Sequence, residues 1–429
     1  MSLPSHETAA GARELAAGAE PSASPPLRLR VRLAVGLFVG RLLDPVFRLG
    51  GWAVYALLRA VEPVFPLTLG LVMHGRIGHL IANTDLFLRK LASGRLPGGR
   101  RYVLFTGRPA NDQILGMIKR RIPVARLPLL GMFFNQGLKP LIQGTRFHVE
   151  VERGLVGNEW EVWEQVPPQL SFAPEEERRG AALLAELGIP AGEPFVCFHS
   201  RDPVYLDLEH PYNDREGWSY QDYRDCSIEN YLPAAEALAR RGRFAVRMGF
   251  RVAKALPALH PRVIDYATRL RSDLGDVYLP ARCKFFLGST AGLSCVPICL
   301  GVPVALANIA PVGALMQRKG DLFIPKLYRD ASSGRALSFP EIVARGLLEE
   351  PLNEICRAEG VEPVENTADD IRALAEEMDD RLDGRWAPEP GDEELQARFR
   401  GLFPRTWYCD GFRSRIGAAF LRRHADLLG

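Results

Sequence analysis

None of the seven cysteines forms a C-x-x-C pair, so the sequence offers neither a redox dithiol nor the paired ligands of a structural zinc site. The count is odd, and residues such as Cys295 and Cys299 sit inside the apolar run "GLSCVPICLG". Buried, reduced thiols fit that pattern better than a disulfide framework, and a cytoplasmic setting is expected. Net charge is small as well: 54 basic residues against 51 acidic ones leave +3. That gives no ground for a nucleic-acid partner, so any basic surface must be local. Of the eight histidines, six have no partner at metal-ligand spacing, and His74 and His79 lie five apart rather than four. No metal is expected from these residues.

A membrane-spanning run is missing too. Residues 27–66 are apolar, but their longest uncharged stretch, Leu49 to Leu58, has ten residues, about half of what a crossing helix needs. What the segment does have is arginine. Six stand between Arg28 and Arg59 against one acid, Asp44, with Trp52, Tyr55 and several Leu and Phe among them. An interfacial helix has this composition, with apolar residues in the acyl boundary and arginines on anionic headgroups. The expected partner is an anionic membrane surface, and the expected place is peripheral, on the inner face of the cell membrane. Residues 1–26, rich in Ala, Gly, Ser, Glu and Pro, read as a disordered tail.

With 47% hydrophobic and 24% charged residues the composition is that of a globular protein, and 429 residues exceed one comfortable core. Two domains follow. Over residues 67–170 strands alternate with helices: "LTLGLVM" and "RYVLFTG" read as strands, "NDQILGMIKRRI" as a helix capped by Asn111, and "VARLPLL" is left unassigned. Residues 171–189 form a linker and helix. Over 190–340 the alternation is clearer. "EPFVCFHSR", "RFAVRMG", "RVIDY", "KFFLGS" and "VPVALAN" are strands, and "YRDCSIENYLPAAEALARRG" and "SDLGDVYLPARC" are helices. This pattern predicts an α/β fold with two doubly wound, Rossmann-like domains facing a cleft, and parallel sheets. Residues 341–429 read as a helical extension.

Three strand ends of the second domain carry polar groups where open α/β sheets bind ligands. The first is His199, Ser200, Arg201 and Asp202; the second is Arg247-Met248-Gly249; the third is "GSTAG", Gly288 to Gly292. Small residues and hydroxyls at a strand-to-helix turn suit a phosphate, and arginines at neighbouring ends suit a diphosphate. His199, Ser200, Arg201, Arg247, Gly288, Ser289, Thr290 and Gly292 are therefore the predicted donor-binding set. Tyr223 and Arg224 are further candidates for the cleft wall. The acidic "YLDLEH", with Asp207 and Glu209, has no suitable strand behind it and is set aside as a metal motif. In "YRDCSIENY", Asp222 or Asp225 is expected to cap a helix.

The order HSRD, YRDxxIxxYxxAxxxLxxRG, VRMG, KFFLGSTAGLSCVPICLGVPV resembles that of a group of bacterial glycosyltransferases. These are similar to enzymes of the GT-B fold, including fucosyltransferases with an H-x-R-x-D-like strand end. The resemblance covers roughly Leu67 to Leu428 and is strongest from Phe195 to Pro303. It implies two Rossmann-like domains, a nucleotide-sugar donor, no cofactor or metal, and Arg201 on the donor's diphosphate. It also draws attention to "HGRIGHLIANTD", since a Gly-His pair opening a helix after the first strand is familiar from GT-B enzymes. An acceptor hydroxyl needs a base, and His79 or Asp85 is expected to supply it. Six residues apart, the two do not share a helix face, so one of them is expected to reach the site. The implied activity is sugar transfer to a lipid-linked or cell-surface polysaccharide acceptor. The alternatives are a nucleotide-sugar 2-epimerase of the same fold and a non-catalytic membrane-surface binding protein.

Overall fold

The computed structural model describes residues 27–126, 133–151, 159–202, 204, 219–312, 318–348, 352–403 and 413–429. The tail 1–26, the "YLDLEH" motif and the later part of "VARLPLL" lie outside the described residues. The chain divides into two compact units, one built mainly from residues 173–429 and the other from 21–155 with 162–172.

The larger unit holds a seven-stranded sheet, and the smaller a three-stranded one. Strands β1 (Leu67–Leu71), β2 (Arg101–Thr106) and β3 (Val124–Arg126) belong to the smaller unit. β4 (Phe195–Phe198), β5 (Phe244–Arg247), β6 (Val263–Asp265), β7 (Phe286–Gly288), β8 (Val304–Ile309), β9 (Leu322–Pro325) and β12 (Arg415–Ile416) form the large sheet. β10 (Leu327–Asp330) and β11 (Val361–Val364) make a separate antiparallel pair.

All seven strands of the large sheet run parallel, in the order β12-β9-β8-β7-β4-β5-β6. Every residue of β4, β5, β7, β8 and β9 is buried, so both faces of the sheet are covered, as parallel sheets require. The chain starts at β4, winds outward through β5 and β6, then returns to the other side of β4 with β7, β8 and β9. The order therefore reverses between β4 and β7, the kind of crevice where open α/β sheets bind ligands.

Several expectations change in detail. "YRDCSIENYLPAAEALARRG" is not one helix but two 3₁₀ turns, Ser219–Arg224 and Ile228–Tyr231, followed by an α-helix over Leu232–Arg240. Pro233 at the first turn starts that helix and cannot continue an earlier one. Beyond residue 340 the chain is helical for long stretches, yet it also supplies β11 and the edge strand β12. The helix Ala368–Leu382 is tied to the start of two central strands. Its fully buried Asp379 accepts from Arg243 Nε at 3.0 Å, just before β5, and from Lys284 Nζ at 2.5 Å, just before β7. These contacts lie at the N-terminal edge of the sheet and leave the C-terminal edge to other uses.

In the smaller unit β1, β2 and β3 pair in parallel, in that order. The helix over Asp112–Lys119 begins as expected, with Asn111 Oδ1 accepting from Ile114 N at 3.0 Å. A 35-residue helix over Leu27–Val61 packs Leu58 against Phe134, Leu138, Ile142 and Phe147. Gly51 and Gly137 let two backbones touch there: a Cβ on Gly51 would stand 2.1 Å from the Gly137 carbonyl oxygen.

Candidate functional site

At the reversal point the ends of β4 and β7 are sewn together. His199 N donates to Leu287 O at 3.0 Å, and Arg201 N donates to Ser289 Oγ at 3.1 Å. Two of the three strand ends singled out from the sequence thus meet. Gly288 between them has no room for a side chain, since an added Cβ would lie 2.5 Å from the Phe286 ring.

The Arg201 guanidinium is not idle. Its Nη1 lies 2.5 Å from Asp225 Oδ1, with only 12% and 16% of the two side chains exposed. Lys326, which directly follows β9 and is 3% exposed, donates to the Asp225 carbonyl at 2.7 Å. Arg224 reaches across to Thr290 O through Nε at 3.1 Å and Nη2 at 2.8 Å. Three cations from separate segments therefore gather around the ends of β4, β7 and β9. Burial, followed by the Arg224 charge, lowers the pKa of Arg201, and burial lowers that of Lys326. Burial also raises the Asp225 carboxyl to about 6, against the pull of Arg201. Crowded cations of this kind are relieved by an incoming anion.

Two polar atoms in this corner lack a hydrogen-bond partner although they are buried: Thr290 Oγ1 and His199 Nδ1. Buried polar groups are nearly always satisfied, so both stand out as polar atoms of this corner with bonding capacity unused. Burial, then Arg247 and Arg201, push the His199 pKa down to about 3. The ring is neutral at physiological pH, so what it has to offer is hydrogen bonding rather than charge.

Other expected residues are placed differently. Arg247, 2% exposed, turns to its own loop, donating to Lys254 O at 2.7 Å and to Asp265 Oδ2 at 3.4 Å. These bonds hold it to the loop after β5 and to the end of β6. Gly292 opens a 3₁₀ turn of three residues, followed by a helix of only five, Cys295–Cys299. The helix dipole there is correspondingly short, and side-chain cations rather than helix amides dominate. Ser200 is buried beside Arg201. Asp202 accepts from Val204 N at 3.0 Å and Ala253 N at 2.8 Å, holding its loop rather than pairing with Arg201. Asp225 caps no helix, because it is spent on Arg201.

In the smaller unit, His79 lies half-buried in the first turn of the helix Ile77–Ala92, after β1. Asp85 on the same helix has no exposed surface. Its Oδ2 accepts from Arg89 Nε at 2.6 Å and its Oδ1 from Gln169 N at 3.0 Å. Burial raises its pKa, with Arg89 opposing. A carboxylate with both oxygens engaged and no path to solvent cannot take a substrate proton, so the expectation that Asp85 serves as base is corrected to a structural role.

Sequence reasoning missed Lys326, Tyr231 and Asn308. Tyr231 donates to Gly288 O at 3.4 Å and accepts from Asn308 Nδ2 at 3.2 Å, supporting the turn from beneath. The lone lysine in "LFIPKLY" was a readable signal, since it sits at a strand end between apolar runs. Among the described residues, no cluster of three or more His, Cys, Asp or Glu is arranged to hold a metal ion.

No family model and no curated protein matches the chain. Among solved structures it is similar to a glycosyl transferase family 9 protein from Veillonella parvula, at 11% identity and a TM-score of 0.35, covering 57% of this chain and 80% of that one. It is also similar to the E. coli ADP-heptose lps heptosyltransferase II, at 14% identity and a TM-score of 0.37, covering 56% and 84%. A third, the dodecameric iron-containing heptosyltransferase TibC in complex with ADP-D-beta-D-heptose, gives 12% identity and a TM-score of 0.31, covering 58% and 59%. The fucosyltransferase likeness expected from the strand-end motif is not among these three. Likeness at this level identifies no family for the chain, and the functional reading rests on its own strand ends.

Proposed function

We propose that the chain is a glycosyltransferase that holds a nucleotide-sugar donor at the C-terminal edge of the seven-stranded sheet. It passes the sugar to a lipid-linked or cell-surface polysaccharide acceptor. One observation carries the reading: where the strand order reverses, the ends of β4 and β7 are joined through Arg201 N and Ser289 Oγ, beside the unpartnered Thr290 Oγ1, the partly buried Arg201 and Arg224 and the buried Lys326. Arg201, Arg224 and Lys326 would meet the donor's diphosphate. As the glycosidic bond breaks, negative charge grows on the departing nucleotide, and prearranged cations stabilise it without needing a metal. Thr290 Oγ1 and the neutral His199 ring would supply directed hydrogen bonds to phosphate or sugar oxygens. His79 stays the proposed base for the acceptor hydroxyl.

The direct test is release of nucleoside diphosphate from a panel of nucleotide sugars, with membrane glycolipid supplied as acceptor. The reading expects one donor to be consumed only when acceptor is present, with the sugar recovered on the lipid. Epimerised nucleotide sugar with no transfer would instead select the epimerase alternative, and no turnover of any donor would count against an enzyme.

A further inference from the structure

We infer that the outward face of the helix Leu27–Val61 docks on an anionic lipid bilayer, with the helix lying in the plane of the headgroups. Seven large hydrophobic side chains are conspicuously exposed among the described residues, and six of them fall between positions 46 and 65: Val46 (62%), Leu49 (74%), Trp52 (57%), Leu57 (60%), Val64 (89%) and Phe65 (41%). Two opposite stripes organise the helix. Phe47, Gly51, Val54, Tyr55 and Leu58 follow the spacing of one face and pack inward, with Phe47 edge-on to Phe133 at 6.0 Å and Tyr55 edge-on to Phe147 at 5.9 Å. Val46, Leu49, Ala53, Ala56 and Ala60 follow the same spacing on the other side, and Leu57 and Trp52 flank them. The inward face is therefore already used, and the outward face is apolar and exposed among the described residues.

The charge on this helix selects the occupant. Arg48 and Arg59, eleven residues apart, fall on one edge of the outward stripe, because eleven residues make about three turns. Asp44, paired with Arg48 at 2.9 Å, is the only acid from Arg28 to Arg59. A second copy of the chain would bring this arginine edge against another of the same sign, which opposes association. Anionic headgroups complement it, while the apolar stripe enters the acyl boundary and Trp52 sits at the level where aromatic rings prefer to lie. No described helix is long and apolar enough to cross a membrane, so the geometry is that of a helix lying on the surface.

The full chain should be sedimented with vesicles of phosphatidylcholine alone and with phosphatidylglycerol added. It should pellet with the anionic vesicles and stay largely in the supernatant with the neutral ones. Leu49→Glu should weaken that binding by about tenfold, the loss of a buried apolar side chain, and Arg59→Ala by about fivefold, one headgroup contact. Both positions are exposed, so melting temperature and nucleotide binding should not move, which separates this result from any failure of the donor site. The inference is overturned if the wild-type chain ignores anionic vesicles, or if Leu49→Glu pellets as well as wild type. It is equally overturned if sedimentation velocity reveals a dimer that Leu49→Glu dissolves while vesicle binding is absent.

Discussion

Replacing Asp85 by alanine is expected to destabilise the unit that holds it by about 3–5 kcal/mol, the cost of stranding a buried charge. Arg89 is 2% exposed, and the contacts it makes to Trp163 O at 3.2 Å, to Val166 O and to the Trp163 ring at 4.6 Å carry no negative charge. Without Asp85 the positive charge stays buried with its closest carboxylate gone. Urea unfolding should register the loss as a lower midpoint. The double variant Asp85→Ala/Arg89→Met should recover most of it, because removing both charges is far cheaper than removing one. A shift below about 1 kcal/mol would contradict the structural role. Asp85→Asn adds a second arm: nucleotide affinity should be retained in whatever fraction stays folded, since the pair stands on the helix after β1 and not at the strand ends of the large sheet.

Arg201 carries the second large effect. Arg201→Lys should weaken binding of the cognate nucleoside diphosphate by roughly ten- to hundredfold, about 1.5–3 kcal/mol, because a point charge does not reproduce a bidentate fork. The Asp225 contact sharpens the experiment. Lysine keeps a positive charge beside Asp225, so the melting temperature should stay near that of wild type while affinity falls. Arg201→Ala removes that charge from a carboxylate that burial already pushes up to about 6, so both affinity and melting temperature should drop. If the arginine served only to hold Asp225, affinity would follow stability in both variants. Calorimetric titration beside melting curves distinguishes these outcomes.

The central strands were legible because each is a short apolar run ending in polar or glycine-bearing residues. Phe195–Phe198, Phe244–Arg247 and Phe286–Gly288 all lie in one parallel sheet, as their pattern predicts. Two residues of edge strand at Arg415–Ile416 give no such pattern, and pairing with β9 rather than local propensity creates it. The site was partly legible. Position after a strand marked Arg201 and Ser289 correctly as neighbours. It did not reveal that Arg247 turns to Asp265, because direction at a strand end is decided by the loop that follows. Asp85 was misread although its signal was present: an acid four residues before Arg89 on a helix is an ion-pair spacing. Burial of that pair depends on residues 163–169, distant in sequence, and no local pattern announces it.

The claim that the β4 and β7 ends form a donor pocket is tested most directly by calorimetric titration of the whole chain with ADP, GDP, UDP and dTDP in turn. The account predicts that at least one of them binds at a single site per chain, that Arg201→Lys weakens it about tenfold or more without lowering the melting temperature, and that Thr290→Val weakens it as well. Absence of binding for all four, or an affinity unchanged in folded Arg201→Lys and Thr290→Val proteins, would contradict it.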